Sequence, residues 1–356
     1  MIKVGITGIG FMGWIHYLAY QKTAGIEISA ICTRNQDKLA GDWTSIQGNF
    51  GPPGEQVDVS SWNCHSDLDS LLADDSVDLV DICLPPDLHT DAAIAVLQAG
   101  KHVLIEKPMA LTVDQCDEIV AVAEAADRQV FVAHVLPFFP EYAFLREAAA
   151  SGKYGKLLGG HFNRVISDPT WLTDFWDAEK MGGPLVDLHV HDAHLIRVLF
   201  GMPERLECRA RMRDDVVEYG MTNFEFADRD LVVTATSGVI GQQGRPFMHS
   251  YEAHFEQATL QFGFAALADE PEVSPLKVFD NEGNVQRPNV GDGDPVLSFE
   301  QEMSEVVRSL ESGTPSTLLG GTLARDAIGL CHRQTESAIA RKSVDVCLPP
   351  LSQGGK

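Results

Sequence analysis

The stretch Lys3-Val4-Gly5-Ile6-Thr7-Gly8-Ile9-Gly10-Phe11-Met12-Gly13 constrains this chain more than any other. An apolar, β-branched run of strand length enters three glycines spaced G-x-G-x-x-G, and residues 14–21 continue as an amphipathic segment. Strand, tight turn and helix in that order are the context in which such a motif holds a dinucleotide. Gly8 is expected to permit the sharp turn, Gly10 to bring a pyrophosphate against bare backbone, and Gly13 to let the helix pack closely on the strand. The helix N-terminus then faces the phosphates. The competing reading is a glycine-rich turn that holds nothing, and the preceding strand weighs against it.

Composition limits what a dinucleotide could do here. The chain has 356 residues, 44% hydrophobic and 22% charged, which is room for two domains with full cores. A net charge of −24 and the lack of any basic run make nucleic acid and anionic membranes poor partners. The first residues already read as strand and no apolar stretch approaches a membrane span, so a cytoplasmic protein without a membrane partner is expected. Seven cysteines without C-x-x-C spacing fit reduced, buried thiols and set aside zinc ribbons and disulfide frameworks; no metal is expected.

Residues 27–32 read as a second strand ending at Thr33-Arg34, roughly 20 residues after the last glycine, where an adenosine ribose is read. An acidic side chain there would accept from both ribose hydroxyls; Thr33 and Arg34 offer a neutral donor and a cation instead, which favours NADP over NAD. Residues 41–61 have turn chemistry and no clear period, and are expected to form a surface insertion able to move. A helix over 68–72, a strand over 77–84 ending at Pro85-Pro86, a helix over 90–98 ending at Gly100, and a strand over 101–105 follow. This alternation makes a parallel, doubly wound sheet the natural architecture. The last of these strands delivers Glu106-Lys107-Pro108 to its C-terminal end, the edge where ligands of open α/β sheets collect.

Together, Gly8 to Gly13, Leu84-Pro85-Pro86 with His89, Ala99-Gly100-Lys101-His102-Val103 and Glu106-Lys107-Pro108 resemble the glucose–fructose oxidoreductase, inositol dehydrogenase and rhizopine catabolism family of NAD(P)-dependent oxidoreductases. The order and spacing of these blocks are more specific than the glycine motif alone, and they cover about the first 135 residues. The resemblance implies a Rossmann dinucleotide-binding domain over 1–135. It also implies an α+β domain over 136–356 for substrate binding and oligomerisation, with a largely antiparallel open sheet and a C-terminal helix able to pack back on the first domain. The sequence agrees: residues 204–264 read as several extended runs between polar turns, while 139–150, 299–310 and 322–339 have helical periodicity. More strands than the few helices can cover point to a homo-oligomer, a dimer or tetramer. Residues carried over for NADP or NAD are Gly8, Ile9, Gly10, Phe11, Met12 and Gly13, Thr33 and Arg34, Leu84, Pro85, Pro86 and His89, and Glu106 and Lys107.

A second chemical cluster runs from Gly182 to His194. On a helix, Asp187 and His191 are four apart and His194 three further on, so the three are expected to share a face from which His189 turns away. The family carries an Asp-x-x-x-His pair here, which Asp187 and His191 match. His189 and His194 depart from its pattern, as does Leu136-Pro137-Phe138, where many relatives have an arginine before the Phe. Lys107 can hold a substrate oxygen and favour loss of the hydroxyl proton; His191 suits the general base, with Asp187 orienting it. For His89, hydrogen bonding at the strand-end turn outweighs a direct part in chemistry. Trp171, Phe175 and Trp176 could stack on a sugar ring, although loop aromatics more often pack. Three activities stay open on the sequence: hydride transfer between NAD(P) and a secondary alcohol or carbonyl of a sugar or polyol, a non-catalytic dinucleotide sensor, and a metal-dependent hydrolase using His189, His191 and Asp192. The helical period through Leu195, Ile196, Val198 and Leu199 separates the ligands that the last would need.

Overall fold

The computed structural model describes residues 1–172, 174–291 and 293–348. It divides into two compact units, the first formed by Met1–Phe138 with Asp294–Arg325 and the second by Phe139–Gly293 with the residues from Asp326 to Leu348.

In the first unit, strands β1 (Ile2–Thr7), β2 (Ile26–Cys32), β3 (Asn63–His65), β4 (Leu79–Ile82), β5 (His102–Glu106) and β6 (Val130–Ala133) alternate with helices α1 (Phe11–Tyr20), α2 (Gln36–Leu39), α3 (Leu68–Leu72), α4 (His89–Gln98) and α5 (Val113–Ala126). The strands pair in the order β3-β2-β1-β4-β5-β6, all parallel. The order reverses beside β1, so the chain opens a crevice at the C-terminal ends of β1 and β4. Continuous apolar runs make these strands because both sheet faces are covered: Val4, Ile6, Leu79, Val80, Ile82, Val103, Leu104 and Ile105 are all fully buried. Local signals set the helix ends. Thr112 and Gln115 form a reciprocal capping box at the start of α5, and Gly100 takes φ +77 just past α4.

Residues 41–61 form a largely exposed insertion, as expected, but one anchored by buried side chains. Trp43 is fully buried and Ile46 and Val57 nearly so. The Trp14 indole donates to the Pro52 carbonyl at 2.8 Å, and the Trp43 indole donates to the Lys38 carbonyl at 2.9 Å. The segment has no period because single aromatic anchors, rather than a regular face, tie it onto α1, where Trp43 meets Trp14 and Tyr17 edge-on. Helix α9 (Pro295–Ser312) packs on α1 in this same unit.

The second unit is built on helices α6 (Pro140–Ser151), α7 (Ala178–Met181) and α8 (Val190–Phe200), and on strands β7 (Leu157–Ser167), β8 (Arg205–Arg213), β9 (Val216–Glu225), β10 (Val232–Ile240), β11 (Phe247–Phe255), β12 (Ala258–Ala266), β13 (Glu272–Asp280) and β14 (Val285–Gln286). The chain then forms α9 (Pro295–Ser312), α10 (Gly321–Ala340) and β15 (Val344–Asp345). One sheet runs β14-β13-β12-β11-β7-β10-β9-β8-β15, antiparallel except where β10 lies parallel to β7 from Val232 opposite Gly159 to Ile240 opposite Ser167. Alternation assigns its faces. Leu206, Cys208, Phe224, Val233, Ala235, Phe162, Tyr251 and Leu260 are buried, whereas the intervening His161, Asn163, Thr234, Thr236, Ser250, Glu252 and Gln261 are half-exposed. That second face is polar, with Asn163 donating to Ser250 at 3.1 Å and Gln261 to Glu252 at 3.0 Å.

All seven cysteines are free thiols; Cys64 and Cys347 are exposed rather than buried. Among the described residues no helix is long and apolar enough to cross a membrane.

Candidate active site

The glycine loop shows why each glycine stands where it does. Gly8 has φ +90, and a Cβ there would lie 2.4 Å from the Cys83 carbonyl oxygen. A Cβ on Gly13 would lie 2.4 Å from the Gly8 carbonyl oxygen, so α1 approaches β1 only without a side chain. Gly10 differs: nothing lies within 4 Å of its Cβ position, and its φ of −109 does not require glycine. Bare backbone there faces open space. Gly10 is also the N-cap of α1 and supplies no side-chain cap, and the first turn carries no acidic residue. The first intrahelical bond runs from Trp14 N–H to the Gly10 carbonyl, leaving the N–H groups of Phe11, Met12 and Gly13 aimed outward. These residues fit a dinucleotide pyrophosphate. Ile9 is buried, so it can offer such a ligand only main chain.

At the end of β2, Thr33 N–H donates to the His65 carbonyl at 3.0 Å, and Thr33 Oγ1 accepts from Asn35 N–H at 3.3 Å. Arg34 is exposed. Lys38 joins this corner by donating its ammonium to the Ile9 carbonyl, and burial lowers its pKa. Sequence reasoning missed it. The cation four residues past Arg34 was visible, but its link to the glycine loop is a tertiary contact.

His89 is fully buried, with Nδ1 2.7 Å from the Pro108 carbonyl and Nε2 2.8 Å from the Leu84 carbonyl. It ties the turn that holds Leu84, Pro85 and Pro86 to the one that holds Glu106 and Lys107, the hydrogen-bonding role expected of it. Burial lowers its pKa, and the two carbonyls oppose that shift. Glu106 is buried at the end of β5, and its Oε2 accepts the Lys107 main-chain N–H at 2.9 Å. Lys107 is half-exposed at the same edge.

In the second unit, Leu185–His189 form a π turn that passes directly into α8. Such turns are rare and recur at functional sites. Asp187 and His191 are half-exposed, while His189, Asp192 and His194 are buried. The expected face therefore holds Asp187 and His191 but not His194. A position three residues past His191 is rotated by about 60° from it, enough to leave a narrow open stripe. His189 turns away as expected. Its Nε2 lies 3.0 Å from the Gln334 side-chain nitrogen, which also donates to Thr222 at 2.7 Å. Burial lowers the His189 pKa to about 4, so the ring is neutral at pH 7. Asp192 is committed elsewhere, accepting from Arg164 Nε at 2.7 Å and Nη2 at 3.2 Å. The helical geometry thus gives His189, His191 and Asp192 no common ion. Among the described residues, the ligand-type cluster is His16, Asp81 and Cys83, in the first unit.

Other polar and aromatic side chains of the loops and sheet fall in different places. Arg164 is buried in its ion pair, and His249 is buried with Nδ1 2.9 Å from the Tyr142 hydroxyl. Phe175 is buried. Trp176 donates to Asp168 at 3.1 Å and lies under the Arg213 guanidinium, 4.0 Å from its ring centre. Trp171 alone of these aromatics is widely exposed, at 62%.

Comparison with known proteins follows these two units. Residues 2–134 match the family model described as an oxidoreductase family with an NAD-binding Rossmann fold. Residues 142–261 match the GFO/IDH/MocA C-terminal domain. An uncharacterised oxidoreductase of Rhizobium meliloti is 30% identical over 210 residues, 58% of this chain and 58% of that protein. The chain therefore spans less than two thirds of that relative. An oxidoreductase from Agrobacterium radiobacter, solved with NAD+, L-tartaric acid and magnesium, has the same fold with a TM-score of 0.78 at 18% identity, over 97% of this chain and 98% of that one. So does a levoglucosan dehydrogenase solved with NADH and levoglucosan, with a TM-score of 0.77 at 22% identity, over 97% and 99%.

Proposed function

The chain belongs to the GFO/IDH/MocA family of NAD-binding oxidoreductases, and on that premise we propose that it moves hydride between a nicotinamide and a secondary alcohol or carbonyl of a sugar, polyol or related small molecule. The observation that carries this reading is the exposure pattern around the π turn. Of five acidic or imidazole side chains between residues 187 and 194, only the Asp187 and His191 pair stays open to a ligand. The cofactor, when bound, supplies the hydride acceptor or donor. Everything else falls to the chain's own groups.

Lys107 holds the substrate oxygen and stabilises negative charge as the hydroxyl proton leaves. His191 takes that proton, and Asp187 orients the ring. Gly10 and the first turn of α1 hold the pyrophosphate. Arg34 and Lys38, with no acidic side chain between Thr33 and Gln36, favour a 2′-phosphate and hence NADP, modestly. The levoglucosan complex of a fold relative supports a sugar-like substrate class. The half-exposed face of the nine-stranded sheet supports a homo-oligomer, whose mass light scattering reports; a monomer at micromolar concentration contradicts it.

The test is a spectrophotometric screen at 340 nm, in both directions and with both nicotinamide cofactors, over sugars and polyols. Lys107→Ala and His191→Ala should each lower kcat by about 100-fold or more with dinucleotide affinity nearly intact. Tight NAD(P)H binding with no turnover across the panel would favour a cofactor sensor instead.

A further inference from the structure

A buried polar cluster in the first unit, Glu106 apart, has no part in the roles assigned above. His16 on α1 is fully buried; its Nδ1 lies 2.8 Å from Asp81 Oδ2 and its Nε2 lies 3.0 Å from Glu106 Oε1. Asp81 also accepts from the Tyr20 hydroxyl at 2.9 Å, and Cys83 Sγ lies 3.5 Å from His16 Nδ1. Glu302 on α9 is fully buried as well, and burial together with the charges of Glu106 and Asp81 raises its pKa well above the carboxylate range, although His16 opposes this. The 2.8 Å separation is a hydrogen bond. A tetrahedral zinc with bonds of about 2.0–2.1 Å would hold nitrogen and oxygen donors about 3.3 Å apart. The His16–Asp81 contact is thus proton-mediated.

One imidazole between two carboxylates is stable as a cation, because a neutral ring would leave at least one buried carboxylate without compensation. Burial lowers the pKa of His16, but Asp81 and Cys83 outweigh it and the net shift is well upward. The cluster also joins two functional parts: α1 opens at the glycine loop, and Glu106 holds the main chain of Lys107.

We propose that His16 is a positioning residue for Lys107: an imidazolium held between Asp81 and Glu106, it fixes the Glu106 carboxylate that in turn anchors the Lys107 main chain. This rests on the role given to Lys107 above.

Two measurements test it. In the cofactor-free protein, histidine-selective nuclear magnetic resonance, with His16 assigned through His16→Gln, should show an imidazolium at pH 8 whose ring signals shift in Glu106→Gln. The groups facing this ring are Tyr20, Asp81, Cys83, Glu106 and Glu302, with the Phe299 ring 5.8 Å away. A neutral ring at pH 8 in the parent overturns the proposal. In turnover, on whichever screened substrate the parent uses best, His16→Gln and Glu106→Gln should each lower kcat at least 10-fold. In His16→Gln dinucleotide affinity should stay within threefold, and the double variant should be no worse than the worse single. Glu106→Gln keeps the side chain's shape, so it carries the test alone if His16→Gln does not fold. Loss of turnover in Lys107→Ala with near-parental kcat in Glu106→Gln, or losses that simply multiply in the double variant, overturns the positioning role and leaves Lys107 in place. Normal turnover in Lys107→Ala removes the reading beneath it.

Discussion

Replacing each glycine of the loop by alanine separates ligand binding from folding, because the structure assigns the three glycines different reasons. At Gly10 the added methyl meets nothing within 4 Å, and the φ of −109 and ψ of −156 suit alanine. Gly10→Ala should therefore fold with stability within about 0.5 kcal/mol of the parent, or gain a few tenths from a less flexible unfolded chain. At Gly13 the methyl would lie 2.4 Å from the Gly8 carbonyl oxygen. Nothing there is a flexible side chain that can swing aside, so the helix must retreat from the strand, at a cost of about 1–3 kcal/mol. Binding should rank differently. If the open space over Gly10 is where a pyrophosphate sits, the methyl displaces it, and a tenfold or greater loss of affinity corresponds to about 1.4 kcal/mol or more. Urea unfolding measures the first effect. For the second, NADH and NADPH can be titrated against the fluorescence of Trp14, Trp43 and Trp62 in the same unit. Unchanged affinity for both cofactors in Gly10→Ala, or parental stability in Gly13→Ala, would refute this account of the loop.

Arg34→Ala should weaken NADPH by about tenfold or less, the value of an exposed charge-assisted contact, and leave NADH within about threefold; tighter NADH than NADPH binding in the parent contradicts the preference. Asp192→Asn leaves the Arg164 guanidinium buried without its countercharge, which should cost about 3–5 kcal/mol in chemical denaturation. A loss below 1 kcal/mol would mean that the pair is not held as described. The His189 pKa of about 4 lies below its unfolded value near 6.5. Between those values the unfolded chain binds a proton that the folded one does not, so the ring's contribution falls as pH falls. From pH 7.5 to 5.5 the stability gap between the parent and His189→Gln should narrow by about 1.3 kcal/mol. A constant gap argues that the ring titrates in the fold as it does in the unfolded chain.

Much of the first unit was legible because its signals are local. A strand running into G-x-G-x-x-G, a proline pair after an apolar strand, and Glu106-Lys107-Pro108 at a strand end each imply their own backbone, and the parallel order follows from alternation. That Asp187 and His191 are both half-exposed was legible for the same reason, since four residues return to one helical face. His194 was misjudged because spacing gives an angle, not what covers it. Residues 41–61 lacked any period, and their anchoring depends on Trp43 meeting Trp14 and Tyr17.

The partners of buried charges lay beyond the sequence altogether. Asp81 interrupts an apolar strand and His16 sits on a mostly buried helix, both readable as oddities. That they meet each other and Glu106 depends on strands and a helix brought together across 65 and more positions of chain. Periodicity and turn chemistry act over a few residues and so are written locally. A buried charge is neutralised by whatever the fold places beside it, and only the tertiary structure decides that.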